Sequence, residues 1–267
     1  MKPPFPLDLR SRKKLLIGVV HLRPLPGSPR WNGSIKAVIA RAVADARSYE
    51  QGGADAVIVE NFGDVPFTKG SVAHETIAAL AVAGQAVREA VELPLGFNIL
   101  RNDAHAGLAL CAACGGSFIR VNVHSGAMLT DQGIIESRAF ETLRLRTHLC
   151  PKVQILADVH VKHAVPLGPI PIEISACDSL ERGLADALII SGTGTGVPAE
   201  LRDVERVRSA CANACILLGS GITEGNAKEF LKFADGVIVG SSLKRNVLDN
   251  PVDPKRVTKL SRAIRFP

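Results

Sequence analysis

The sequence predicts an α/β protein, specifically a (β/α)8 barrel, on three observations. Eight short apolar runs rich in Val, Ile and Leu recur along 267 residues, and their starts lie about 21 to 40 residues apart, room for one helix and two loops in each gap. The runs are continuous rather than alternating, as strands are in a parallel sheet covered on both faces. The segments between them carry helical periodicity. A doubly wound open sheet is the competitor, but eight units are generous for it, and no Gly-x-Gly-x-x-Gly follows the first run.

In chain order the runs occupy residues 16–21, 56–61, 95–100, 118–123, 153–159, 187–191, 216–219 and 237–240. Between the first two, Ser34 is placed to cap a helix whose Ile35, Val38, Ile39, Ala42, Val43 and Ala46 fall on one face, and Gly52-Gly53 stops it. Residues 71–91 form the second helix, ending before Pro94, and later helices are read over 137–149, 200–213 and 224–233. No linker interrupts the series. Residues 1–267 are therefore expected to form a single barrel domain, with basic extensions at 1–14 and 244–267.

Composition bounds what such a barrel can do. Hydrophobic residues make up 46% of the chain and charged residues 22%, enough for a large core, which excludes disorder. Aromatics are 4%, with Trp31 and Tyr49 each alone of its kind, so no base-stacking surface and no nucleic-acid partner are expected. The net charge of +6 sits at the ends. Residues 1–14 hold Lys2, Arg10, Arg12, Lys13 and Lys14 against Asp8. Residues 244–267 hold Lys244, Arg245, Lys255, Arg256, Lys259, Arg262 and Arg265 against Asp249 and Asp253, which leaves 15–243 at −3. Such ends suit solvent, or a peripheral contact with an anionic membrane or acidic partner. No apolar stretch approaches the ~18–20 residues that span a bilayer, and residues 15–20 are too short for a signal-peptide core. A cytoplasmic protein, at most peripheral to a membrane, and a homo-oligomer are expected. Six cysteines are too sparse for a disulfide framework. Cys111 and Cys114 make one Cys-x-x-Cys inside a helical pattern, which reads as buried small apolar side chains before it reads as a zinc or redox site.

In a barrel the site lies at the C-terminal ends of the strands, and polar residues gather there. His21 ends the first run and Glu60 approaches the end of the second; Asn98 lies in the third. Arg120, Asn122 and His124 follow in the fourth, Asp158, His160 and Lys162 in the fifth. Side chains two apart on a strand share a face, so each of these triplets is expected to point together into the barrel mouth. Burying such a row costs roughly 1–3 kcal/mol per unpaired polar group, which makes sense if the groups line a site or pair with one another. Asp158 and His160 read as a general acid/base pair with Glu60 or His21 opposite. Lys162 can form a Schiff base if desolvation lowers its pKa, but it is expected to fall in the loop after the fifth run, and no lysine lies within the last three runs.

The last three runs lead into glycine turns: Gly192-Thr193-Gly194, Gly219-Ser220-Gly221 and Gly240-Ser241. Glycine lets backbone N–H groups approach an anion with no Cβ in the way, and hydroxyls add donors. The loops after the seventh and eighth strands are the usual phosphate cradle of this architecture. A small phosphorylated ligand is expected there, with Asn98, Arg120 and Asn122 completing its site; tight turns without a ligand are the plain alternative. No motif indicates a cofactor. A divalent metal could be held if His21, Glu60, His124, Asp158 and His160 converge, but there is no short ligand motif such as His-Glu-x-x-His, and no metal ligand is assigned.

Several stretches carry a resemblance. Gly18-Val-Val-His-Leu-Arg-Pro-Leu-Pro-Gly-Ser-Pro29 and Gly53-Ala-Asp-Ala-Val-Ile-Val-Glu-Asn-Phe62 resemble the BtpA family, which includes SgcQ-like proteins. Asp158-Val-His-Val-Lys-His163, Ser191-Gly-Thr-Gly-Thr-Gly196 and Gly219-Ser-Gly-Ile222 look like its further signatures, and the likeness runs from about residue 15 to 243, leaving the cysteine pair outside those motifs. The resemblance implies a barrel akin to the ribulose-phosphate-binding enzymes, an analogy of fold. It also implies two functions. The family takes its name from a factor needed for photosystem I accumulation at the thylakoid membrane, which implies a non-catalytic biogenesis or stability factor for a membrane complex. Relatives in organisms without photosynthesis, and SgcQ-like members among sugar-uptake genes, imply instead an enzyme on a small phosphorylated metabolite: a sugar-phosphate isomerase, epimerase or aldolase-type lyase. The polar strand ends favour the enzyme.

Overall fold

The computed structural model describes residues 5–11, 13–244 and 250–265; Lys2, Arg12, Arg245 and Asp249 of the basic ends lie outside the described residues. The strands are β1 (Leu15–His21), β2 (Ala56–Glu60), β3 (Leu95–Asn98), β4 (Phe118–Val121), β5 (Ala127–Thr130), β6 (Gly133–Glu136), β7 (Gln154–Val159), β8 (Ala164–Pro166), β9 (Ala187–Ile190), β10 (Ile216–Leu218) and β11 (Gly236–Val239). Eight of them close a parallel barrel in the order β1-β2-β3-β4-β7-β9-β10-β11, with β11 pairing back onto β1. Each apolar run of the sequence holds one barrel strand. The fold is the (β/α)8 barrel that the pattern predicts.

Alternation along the strands sorts side chains into two cores. Residues such as Leu16, Val20, Val57, Val59, Leu188 and Val237 face outward and pack beneath the helices. Leu15, Ile17, Val19, Ala56, Ile58, Phe118, Leu156, Ile189, Leu217 and Ile238 fill the interior. Continuing each interior row by two residues reaches His21, Glu60, Arg120, Asp158, Ser191, Gly219 and Gly240, and the β3 row contributes Asn98. The barrel thus changes from hydrocarbon to polar side chains and glycine within one layer of its mouth.

The helices are α1 (Ile35–Gln51), α2 (His74–Ala90), α3 (Ala104–Cys114), α4 (Ala139–Leu149), α5 (Ile172–Cys177), α6 (Leu201–Ala210), α7 (Ala227–Phe230) and α8 (Pro254–Arg265). Ser34 caps α1 as expected, its Oγ accepting from the Ala37 N–H at 3.2 Å. Tyr49 of α1 lies flat on β1 at Gly18, where a Cβ would fall 2.3 Å from the ring, and its hydroxyl donates to the Val19 carbonyl at 3.0 Å. Cys111 and Cys114 are buried in α3, with both thiols pushed up by burial, so they form part of the packing.

Two features differ from the sequence reading. The 244–267 stretch, read as a basic extension, carries α8, which buries Val257, Leu260 and Ile264 at helical spacing and packs against α1 and α7. Its Ser261 Oγ and Arg265 guanidinium donate to the Gly53 carbonyl at 3.2 and 2.7 Å, and Arg265 also reaches Asp55. At the other end, Lys13 pairs with Asp55, and Lys14 donates to the Ala234 carbonyl at 2.7 Å. The second feature is an antiparallel sheet, β6-β5-β8, built from the loops after β4 and β7. It buries Met128 and Ile135 against Val123 and Val161 while Leu129, Ile134 and Val165 face out. Among the described residues no helix is long and apolar enough to cross a membrane.

Candidate functional site

The first wall of the mouth, over β2 to β7, is a set of buried polar groups that satisfy one another. Arg120 reaches across to Asp158 with two parallel bonds, Nε to Oδ2 and Nη2 to Oδ1, both 2.8 Å. Asn122 donates to the same carboxylate at 2.7 Å, and Asn98 donates to Glu60 Oε2 at 2.8 Å. Burial works against the Arg120 charge, yet the adjoining Asp158 carboxylate outweighs it and holds the guanidinium above its ordinary range. A two-pronged pair of this kind fixes both partners. The Asn122 Oδ1 is left buried with no partner.

The second wall, over β9 to β11, carries glycine. A Cβ on Gly219 would fall 2.3 Å from Ser191 Oγ, and one on Gly240 would fall 2.5 Å from the His21 ring. The β9 and β10 loops brace each other: the Ser220 hydroxyl donates to the Val197 carbonyl at 2.6 Å and accepts from the Gly192 N–H at 3.2 Å. Gly221 sits at φ +69 against Pro198, where a Cβ would lie 2.1 Å from its nitrogen. These turns enclose a compartment of about 60 Å³ that Gly219, Ser220, Gly221, Gly240, Ser241 and Thr195 line. A larger cavity of about 320 Å³ adjoins it, with Asn98, Asn122, Arg101, Phe62 and Phe67 on its walls.

Two ionisable groups stand where the walls meet. Lys162 lines both spaces, as do Glu60 and Thr195. Burial, then the Arg120 charge, pull the Lys162 ammonium below its ordinary range against the opposing pull of Glu60 and Asp158. His21 packs on Phe62 with ring centroids 4.5 Å apart, and its Nδ1 is buried without a partner. Burial first, then Lys244, Lys162 and Arg120, hold its imidazole well below 6.5, so it is neutral at physiological pH.

A family model describing the BtpA family matches residues 12–265. The chain belongs to the BtpA family. It is 46% identical to the Photosystem I biogenesis protein BtpA of Synechocystis sp., over 93% of this chain and 87% of that one. It is also 46% identical to a protein of Pyrococcus furiosus, over 96% of both chains. Among solved structures, thiamine phosphate pyrophosphorylase from Pyrococcus furiosus superposes with a TM-score of 0.59 at 15% identity, covering 96% of this chain and 98% of that one, a likeness of fold.

Within this BtpA-family barrel, Glu60, His21, Asn98, Arg120, Asn122, Asp158 and Lys162 come together at the mouth, with Gly219, Ser220, Gly221, Gly240 and Ser241 facing them. His160 does not join them. The strand ends at Val159, His160 takes φ 49, and the parity of the row is lost; its Nε2 meets Ser175 of α5 at 3.0 Å, outside the barrel. His163 faces the larger cavity instead, bonded to Thr195 Oγ1 at 3.1 Å. His124 likewise turns outward, its Nε2 2.7 Å from the Gly183 carbonyl. The proposed Asp158–His160 acid/base pair is therefore not formed, and Asp158 is occupied by Arg120 and Asn122. Gly192 serves the loop, since a Cβ there would strike the Val197 and Pro198 carbonyls, while Thr193 accepts the His163 N–H through its own carbonyl. Thr195 and Gly196, two residues further on, line the compartment in place of Gly192, Thr193 and Gly194. Among the described residues no three His, Cys, Asp or Glu side chains stand where they could share a metal ion, so the five groups considered for one do not converge.

Sequence reasoning missed Asp131 and the apolar Phe62 and Phe67 as wall residues; Arg101, His163 and Thr195 stand out in the sequence as strand-end or loop polar residues but carry no assigned role there, and they too line the cavity. Asp131 arrives on the β5–β6 turn, which only the Thr-Asp-Gln-Gly turn composition of 130–133 signals.

Proposed function

We propose that the barrel mouth binds a small phosphorylated metabolite and transforms it, the phosphate resting on the glycine turns after β10 and β11. One observation carries this reading: the 60 Å³ compartment combines close-approach backbone, Ser220, Ser241, Thr195 and Lys162, and adjoins a larger space of mixed polar and apolar lining that can take a carbon skeleton. Proton movement at the carbon end falls to Glu60, which lines both spaces, with His21 on the wall of the smaller one; these groups suit isomerase, epimerase or aldolase-type chemistry on a sugar phosphate. The test is a thermal-shift and calorimetric screen of inorganic phosphate and short sugar phosphates. A ligand at tenfold its dissociation constant stabilises by about 1.4 kcal/mol; no shift across the panel removes the reading.

A second reading, a non-catalytic biogenesis factor for a membrane complex, draws on the name of the Synechocystis relative. Exposed Lys255, Lys259 and Arg262 at i, i+4 and i+7 of α8 give it a basic stripe suited to an anionic surface. Co-sedimentation with anionic vesicles, lost in a variant carrying Lys255→Glu, Lys259→Glu and Arg262→Glu, would support it. A 46%-identical relative in Pyrococcus furiosus favours chemistry that is independent of any photosystem.

A further inference from the structure

We propose that the Lys162 amine is a covalent attachment point, forming an imine with the carbonyl carbon of a phosphorylated aldehyde or ketone whose phosphate sits in the glycine compartment. The inference rests on the phosphate reading above and adds the reacting atom and the substrate class.

Lys162 follows the turn that sends His160 outward, and its side chain returns to the mouth at the junction of the two spaces. The loop is fixed at this point, because Arg101 Nη2 donates to the Lys162 carbonyl at 2.5 Å. The amine itself makes no hydrogen bond or ion pair with any described residue. The carboxylates nearest in charge are engaged elsewhere: Asp158 holds Arg120 and Asn122, and Glu60 Oε2 accepts from Asn98. Both guanidiniums of this wall, Arg120 and Arg101, oppose a charge on Lys162. A lysine that served only as a fixed cation would be placed beside a free carboxylate and away from arginines. Here burial and like charge favour the free amine, whose lone pair is the nucleophile of imine chemistry.

The space around the amine fits the partner. A phosphate in the smaller compartment leaves the neighbouring carbons at the junction, beside Lys162, with the larger cavity for the rest. There the unpartnered Oδ1 of Asn122, a residue only 2% exposed, is an acceptor for a substrate hydroxyl. Glu60 faces the same two spaces and serves as the proton carrier. Its carboxylate takes a proton from the ammonium. The freed lone pair forms the C–N bond as the carbonyl π pair moves to oxygen, and the nitrogen's proton passes to that oxygen, giving a carbinolamine. Glu60 then returns its proton to the hydroxyl, the C–O bond breaks, and water leaves an iminium. Charge is conserved, and no redox partner is needed.

The full chain is incubated with glyceraldehyde 3-phosphate or dihydroxyacetone phosphate, reduced with sodium borohydride, digested and mapped by mass spectrometry. The expected result is a reduced adduct on the Lys162 peptide about tenfold above that on any other lysine, suppressed by inorganic phosphate and absent from Lys162→Met. Lys162→Arg keeps a cation without a nucleophilic amine, and should bind inorganic phosphate by calorimetry yet take no label. No label at Lys162, or label spread evenly over surface lysines, overturns the imine; phosphate binding that persists in the wild type then leaves the phosphate reading standing. Label on Lys162 that inorganic phosphate does not suppress retains the imine and removes the phosphate reading.

Discussion

The two walls of the barrel mouth are made from opposite materials. Over β2 to β7 the groups are ionic and amide side chains, buried and bonded to each other: Arg120 with Asp158, Asn122 with Asp158, Asn98 with Glu60. Over β9 to β11 they are glycine backbone and hydroxyls, with no carboxylate or guanidinium lining the compartment from that side. The first wall holds its own shape because its charges neutralise one another. The second holds its shape through loop-to-loop contacts that already engage the Ser220 and Thr195 hydroxyls, and leaves Ser241 on the compartment wall. Lys162, whose amine bonds to no described residue, and His21, whose Nδ1 is buried without a partner, stand at the seam. The groups that brace the mouth and the groups left without a bonded partner are different residues.

The comparison breaks most visibly at Arg120. Replacing it in Arg120→Leu strands a buried Asp158 carboxylate, and a loss of about 3–5 kcal/mol is expected in urea unfolding; a loss below 1 kcal/mol would mean that the first wall is not self-neutralised. On the second wall, Gly240→Ala drives a Cβ into the His21 ring. About 1–3 kcal/mol of stability should go, together with inorganic phosphate binding measured by calorimetry. Lys162→Met should move the other way and raise stability by about 1 kcal/mol, because it removes a buried amine with no bonded partner at the expense of function. Equilibrium unfolding distinguishes it from Arg120→Leu by sign. The smallest effect at neutral pH concerns His21. Above about 6.5 its imidazole is neutral folded or unfolded, so its contribution is flat. As pH falls below that value the unfolded chain takes up a proton that the folded site refuses, and stability drops. His21→Gln should flatten part of this acid limb in unfolding midpoints measured across pH; an unchanged slope would place His21 in water.

The barrel was legible because hydrophobic runs of 4 to 7 residues need no partner information to be recognised as buried strands. The mouth was legible wherever a strand kept its parity: Glu60, Asn98, Arg120, Asn122 and Asp158 all fall on interior rows. It became illegible one residue past Val159, where His160 turns through positive φ and exchanges places with His163. Nothing in Asp-Val-His-Val-Lys-His distinguishes an extended row from a turn, because the left-handed residue is a histidine rather than glycine. The β6-β5-β8 sheet escaped notice because its strands are three or four residues long and half exposed, too short for a period to register. Helix α8 was hidden differently: its apolar spacing of Val257, Leu260 and Ile264 is plain, but the five basic residues around it read first as a solvated tail.

The pairing of β1 with β11 has a consequence for how the molecule is made. During synthesis the N-terminal strand leaves the ribosome with one backbone edge bare, and its partner follows more than two hundred residues later. At ordinary elongation rates that edge waits for roughly ten seconds or more. For that interval Leu15–His21 offers an open template to neighbouring chains. Slowing translation over the last two units lengthens that interval and should lower the soluble yield.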